Sequence, residues 1–408
     1  MHILRTIGRS IPLHVVILSV AILISLSSAT IHPLDDHFQY QRFIELLAQG
    51  TVDLSIPGFH GSSFLALPMY LLTGSELSNI YFQILCAALL VPAGYIAVST
   101  LLRDKVAGVL FAYIMAMSPF FFFLAFRGFT FPSFTLLVFL AIALFARRSV
   151  FVWIPLGISF LIKPFSIALA PLFLLWNPLQ EKKSGWRSPW VQLALALVLP
   201  AVYIIVEYSQ IGRIIVGAHP HIDQTSVFFS GRIFLNIAHG IQMLFSIHNY
   251  YFPDPALTGP GNLVHSSPIL IFLGICTLLY PKLFWRNMRQ VWGLRLSIFM
   301  AYFLVVLLDH MDHFYMEMTV LLLVIASIAA LRKFPLLIPL ALATLHFQWL
   351  YAYLNFREVF SVTPVFFVTP LVVDILFIMW CACEWRTVQT YISGEPCAPP
   401  KDSSVLLT

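Results

Sequence analysis

Charge is what this chain has least of. Only 10% of its 408 residues are Asp, Glu, Lys or Arg, against 60% hydrophobic residues and a mean hydropathy of +0.88. A soluble domain carries roughly 25% charged residues, so a water-soluble globule is excluded. Polar stretches long enough for a separate soluble domain are missing too. The five cysteines, Cys86, Cys276, Cys381, Cys383 and Cys397, have neither metal-site nor disulfide-framework spacing. No P-loop, dinucleotide fingerprint, zinc-protease motif or nucleophile elbow occurs.

What the chain does have is apolar runs. Spans are expected near residues 11–30, 79–102, 107–125, 132–146, 150–162, 166–176, 190–208, 265–281, 291–308, 315–331, 335–352 and 363–383. The fold class this implies is all-α, a polytopic transmembrane helical bundle of about 11–13 spans. Residues 1–383 form one transmembrane domain in this reading, with 384–408 as a cytoplasmic tail. The first run follows Arg5 and Arg9 and ends in Ser27, Ser28 and Ala29, as a signal peptide would. Its length and the many spans behind it favour a retained anchor.

The net charge of +5 does not point to nucleic acid, because the basic residues are spread over short loops. They read as topology. With the N-terminus cytoplasmic, 17 of the 23 Lys and Arg residues fall on the cytoplasmic side, and six (Arg42, Arg127, Lys163, Arg213, Arg232 and Arg357) on the other. The long segments 31–78 and 209–264, and eleven of the thirteen histidines, also lie on or near the outer side. Any active site is expected there, on the extracytoplasmic face.

Spans 150–162 and 166–176 are too short to cross alone and meet at "IKPF", which predicts two half-length helices broken at Lys163 and Pro164. The junction is expected at or below the outer surface, where a lysine is costly, by about 2.5–3.5 kcal/mol at mid-bilayer on insertion scales, unless it lines a wet cavity or meets an anion. Asp374, inside the last span, is costly for the same reason and could pair with a neighbouring helix.

Directly after the first run comes "HPLDDHFQY", residues 32–40. The spacing of Tyr40, Phe43, Ile44 and Leu47 predicts a helix over 36–48 lying along the membrane surface and ended by Gly50. Asp36 with Gln39 three residues on fits a capping box, which would commit that carboxylate to backbone N–H groups. Asp35, just outside the helix, has no such explanation. A carboxylate at the outer edge, near histidines and Arg42, is suited to take a proton from a hydroxyl. A second acidic cluster, "LLDHMDHFYMEM" at 307–318, puts Asp309, Asp312 and His313 on one face if helical. They could form a hydrogen-bonded rim or hold a divalent cation.

Taken together, "HPLDDHFQY", "LLAQG" and "PGFHGSSFLALPMYLL" resemble the first extracytoplasmic loop of the GT-C superfamily of membrane glycosyltransferases, among them the protein O-mannosyltransferases and the lipid A aminoarabinose transferases. The resemblance is clearest over residues 31–75 and continues loosely through "AFRGFTFP" and "ISFLIKPFSIALAPLFLL". It departs from the family pattern in two places: Leu34 separates Pro33 from the acidic pair, and the second acid is Asp rather than the commoner Glu.

This resemblance implies a sugar donor linked through phosphate to a polyprenol or dolichol, and inverting transfer to a hydroxyl of a glycan, lipid or protein acceptor. The setting it implies is the outer face of a membrane, expected to be a bacterial inner membrane. Carried over residue by residue, it makes Asp35 the general base and Asp36 the second acid, orienting or capping. The leaving phosphate needs cations, and Lys163, Arg127, Arg42 and His60 are the candidates. Arg127 at a span end reads equally well as a snorkelling side chain. Arg213, Arg232 and Arg357 are held in reserve. Asp309, Asp312 and His313 become possible sugar or metal contacts, and a divalent cation the one candidate cofactor.

Two other classes stay open. An O-antigen polymerase or ligase type enzyme would depend on Arg213, Arg232 and the 209–264 segment. A transporter or flippase would show internal repeats and charges lining a path through the membrane; no convincing repeat is seen, and the charges collect on one side.

Overall fold

The computed structural model describes residues 11–28, 31, 33, 35–56, 58–118, 125, 127–176, 185–212, 232–245, 267–285, 287–307, 316–356, 364–385 and 388–389, without the side chains of residues 35, 36, 232, 239, 242, 351–356 and 364–367. The described residues form sixteen α-helices and one 3₁₀ segment, with no strand among them. The molecule is an all-α helical membrane protein.

The helices are α1 (Leu13–Ser27), α2 (Asp35–Ala48), α3 (Gly61–Thr73), α4 (Ser78–Leu102), α5 (Lys105–Ala116), α6 (Phe131–Ala146), α7 (Trp153–Ile162), α8 (Ala170–Leu175), α9 (Pro189–Ile211), α10 (Arg232–Phe245), α11 (Pro268–Leu279), α12 (Pro281–Phe284), α13 (Met288–Val306), α14 (Glu317–Lys333), α15 (Leu337–Phe356) and α16 (Pro364–Cys383). Each expected span contains a helix. Three of them, α4, α9 and α13, are long and apolar enough to cross a bilayer alone. Most of the others run 10–17 residues, below the roughly 20 that a straight crossing needs.

α4 is the central element. α1, α3, α5 and α6 pack around it, and α6 leads on to α7 and then α9. A second group joins α8, α13, α14 and α11. Between helices in lipid there is no hydrophobic driving force, so close packing and interhelical hydrogen bonds hold the bundle. Ser19 Oγ donates to the Ala88 carbonyl at 2.7 Å, Thr277 Oγ1 to Ala326 at 3.2 Å, and Trp349 Nε1 to Met117 at 2.8 Å. α9 turns Val202 and Ile205 outward, 52% and 67% exposed, as a lipid-facing helix does.

Buried helix starts leave orphan N–H groups that need partners. Here side chains from other helices supply them. Gln41 Oε1 on α2 accepts from Asn79 N at the start of α4, 3.2 Å, and Gln83 Oε1 on α4 accepts from Ser133 N at the start of α6, 3.1 Å. Ser297 Oγ on α13 likewise accepts from Leu172 N at the start of α8, 2.9 Å. Assembly and helix termination are thus one event.

The break at "IKPF" is where the sequence places it. Pro164 disfavours α geometry in the residue before it, and Lys163 is extended, φ −151° and ψ 129°. A 3₁₀ segment, Pro164–Leu169, follows before α8.

Candidate functional site

α2 begins one residue earlier than its spacing suggested, so Asp35 lies within its first turn rather than just outside it. Backbones of both acidic residues therefore sit where the helix dipole favours negative charge. Their side chains, with the capping-box question for Asp36, lie outside the described residues.

The apolar face of α2 is real. Phe43 and Ile44 are fully buried, and Tyr40 and Leu47 partly so. Phe43 joins Leu54 and Tyr203 in a small core with Leu161 and Ile211, which docks the first loop onto α7 and α9. The polar part of that loop is buried too. His37 Nε2 donates to the Glu76 carbonyl at 3.1 Å; Ser78 Oγ donates to Gln41 Oε1 at 3.0 Å; Asn79 Nδ2 donates to the Gly128 carbonyl at 2.9 Å. Gln83 Nε2 donates to Ser62 Oγ at 2.7 Å, and Ser62 meets Ser133 Oγ at 3.1 Å. The reading of the sequence missed this network. Its trace was there, since Asn79 and Gln83 are polar at i and i+4 in an otherwise apolar span, one face of a helix.

The network seats the "RGFTFP" turn, residues 127–132, against α2. Gly128 has φ +82°, and a Cβ there would meet His37 Cβ at 2.8 Å. Only glycine allows both the left-handed backbone and the approach. Arg127, one residue before, is thereby held beside the first turn of α2. Burial pulls its guanidinium down to about 10, so it stays protonated at neutral pH.

Lys163 reaches the same neighbourhood from α7. Its Nζ stands 3.8 Å above the ring centroid of Phe131, the first residue of α6 and four residues after Arg127. Such a placement stabilises an ammonium by roughly 0.5–2 kcal/mol. α3 starts against the same break, with Gly61 so close to Leu161 that a Cβ would lie 2.7 Å from its carbonyl carbon.

The other candidates separate from this group. His60 is fully buried, stacked on Phe43 with centroids 3.8 Å apart, and its Nε2 donates to the Ile56 carbonyl at 2.8 Å. Burial lowers it to about 4, with the Ile56 bond and Asp53 opposing. A neutral ring so engaged supplies packing, not positive charge. Arg42 is exposed, and its charge acts on Asp53, whose carboxyl is held low first by its Ser55 hydrogen bonds. Asp309, Asp312, His313, Arg213 and Arg357 lie outside the described residues, as does the Arg232 side chain. Among the described residues no three His, Cys, Asp or Glu side chains group as a metal set. Asp374 finds its partner on α15: His346 Nε2 and Asp374 Oδ2 are 2.6 Å apart, with His346 Nδ1 2.8 Å from the Leu342 carbonyl.

No family model matches this chain, and no curated protein matches it in sequence. Among solved structures it is similar to the archaeal oligosaccharyltransferase AglB from Archaeoglobus fulgidus in complex with an inhibitory peptide and a dolichol-phosphate, with a TM-score of 0.45 and 14% identity over 94% of this chain. It is also similar to the apo form of the Archaeoglobus fulgidus oligosaccharyltransferase, with a TM-score of 0.44 and 13% identity over 95% of this chain. The chain spans 60% of the length of each.

Proposed function

We propose that the protein is an integral membrane glycosyltransferase that moves a sugar from a polyprenyl-phosphate donor to an acceptor hydroxyl on the extracytoplasmic side, with inversion. Asp35 takes the hydroxyl proton as the acceptor oxygen attacks the anomeric carbon. The glycosidic bond to phosphate breaks on the opposite face, and its electron pair leaves with the phosphate. That phosphate gains a negative charge as it departs, and Lys163 and Arg127 stabilise it. Asp36 orients or caps. His60 and Arg42 sit at the margin of this site, the first as packing and the second as a surface charge. Asp309, Asp312 and His313 remain candidates for contacts to the sugar or to a divalent cation.

One placement carries the reading. The turn bearing Arg127 is locked onto the first turn of α2 through Gly128 and His37, while Lys163 lies over Phe131 only four residues along from Arg127. Two cations and an acidic helix start therefore share one end of the bundle, an arrangement suited to a phosphodiester and a hydroxyl nucleophile.

Purified protein mixed with a panel of polyprenyl-phosphate sugars is expected to bind at least one and to release free polyprenyl phosphate in the presence of acceptor. Lys163→Met is expected to weaken binding of the sugar-free carrier phosphate about 10-fold or more, the scale of one charge-assisted contact. Full affinity in that variant would remove Lys163 from the phosphate site.

A further inference from the structure

Arg295 sits two turns into α13, a helix long and apolar enough to cross the bilayer. An arginine at such depth is costly unless something answers its charge. Its Nε donates to the Leu278 carbonyl at 3.0 Å, and its Nη2 donates to the same oxygen. Leu278 lies in the last turn of α11, where carbonyls have no partner within their own helix, so this contact caps α11. It occupies only two of the five N–H donors of a guanidinium. The rest of the fork has no acceptor among the described residues. The side chain leans back toward the start of α13, with Cζ 5.0 Å from the ring centroid of Trp292.

From Arg295 a groove of about 530 Å³ runs between α11, α13 and α14, lined by Ile275, Leu279, Ile298, Phe299 and Leu323 and bounded at its far end by Leu244 of α10. Leu279 and Phe299 are exposed, which opens it sideways to lipid. Across the ridge of Trp292 lies a second groove of about 470 Å³, formed by Leu174, Leu175 and Leu296 with Arg289 in its wall. Both volumes are those of ligand pockets. Both arginines belong to the end of the bundle expected to face the cytoplasm, and an exposed indole suits the same interface. Arg289 precedes Arg295 by roughly 9 Å along the axis, and Arg295 reaches back toward it.

We propose that this face of α13 binds one anionic diacyl phospholipid of the cytoplasmic leaflet, its phosphate held by Arg295 with Arg289 nearby and one acyl chain in each groove. The charge is complementary, since basic sites between helices on that side attract anionic headgroups. The polarity is fixed as well. The larger groove has its cation at the inner end and α10 across the outer end, so a carrier whose phosphate is handled on the outer side would enter it the wrong way round. The site does not depend on the proposed transfer reaction.

The test titrates full-length protein, freed of lipid in detergent, with dioleoyl phosphatidylglycerol or dioleoyl phosphatidylcholine, counting bound lipid by native mass spectrometry and following thermal unfolding in parallel. Wild type is expected to hold one phosphatidylglycerol about fivefold or more tighter than phosphatidylcholine, the scale of one interfacial charge, and to unfold at a higher temperature as that lipid is added. Arg295→Gln, which keeps a donor for Leu278, should lower phosphatidylglycerol affinity about 10-fold or more. Ile298→Trp fills the larger groove without touching the Leu278 contact and should weaken both lipids; it decides alone if Arg295→Gln does not fold. Wild-type affinity in either folded variant would overturn the site, as would equal binding of the two lipids by wild type. One-for-one displacement of phosphatidylglycerol by undecaprenyl phosphate would give the grooves to the carrier and overturn it too.

Discussion

His60 shows how a residue's chemistry is decided by what surrounds it. In a segment expected to face outward and to carry an acidic pair, a histidine looks like a ligand for phosphate. Stacked on Phe43 and donating from Nε2 to Ile56, it is held neutral. Its folded value, about 4, lies below the ordinary 6.5, so the fold favours the unprotonated ring. The stabilisation is complete above pH 6.5 and is lost as pH falls toward 4, because the unfolded chain takes up the proton first; the full difference is on the order of 3 kcal/mol. His37 is lowered as well, mainly by burial, and adds in the same direction. Thermal unfolding between pH 7 and 4 is expected to show a falling unfolding temperature, and His60→Phe, which preserves the stack, a shallower fall. A slope unchanged in His60→Phe would mean that this ring is not the titrating group.

At the scale of elements, the first loop is joined to the bundle by side chains that end other helices. Gln41 serves the start of α4 and Gln83 the start of α6, so α2, α4 and α6 keep a fixed register. Gly128 closes that register against His37. Gly128→Ala would place a non-glycine residue at φ +82° and force a Cβ to 2.8 Å from His37. Gly50 is a matched control, with φ +79° and open space around it. Gly50→Ala should cost only backbone strain, about 1–3 kcal/mol, and Gly128→Ala measurably more, with weakened donor binding as the Arg127 turn shifts. Equal stability losses in chemical denaturation, with binding intact, would show that the contact with His37 positions nothing.

At the scale of the whole molecule, the sequence makes some features plain and hides others for physical reasons. Long apolar runs announce the helices, and Pro164 after Lys163 announces the break, because hydropathy and proline sterics are local. α3 is hidden in the sequence because Pro68 and two serines interrupt its pattern, although its first turn is buried and its remaining surface is largely apolar. α10 lies in a segment whose sequence reads as loop, yet Asn236, Gly240, Met243 and Leu244 form its inward stripe against α13 and α11. The candidate site is only half legible. Asp35, Arg127 and Lys163 stand out as charges in a greasy chain, but what joins two of their neighbourhoods is a glycine fitted to a histidine 91 positions away (128 − 37).

The most direct test separates binding from chemistry at Asp35. Donor affinity and single-turnover transfer are measured side by side for wild type and Asp35→Asn, using whichever polyprenyl-phosphate sugar the wild type consumes. If Asp35 is the base, the variant binds donor within about threefold of wild type and transfers at least ~100-fold more slowly, the lower range for loss of a general base. Transfer at the wild-type rate would contradict the proposed chemistry outright.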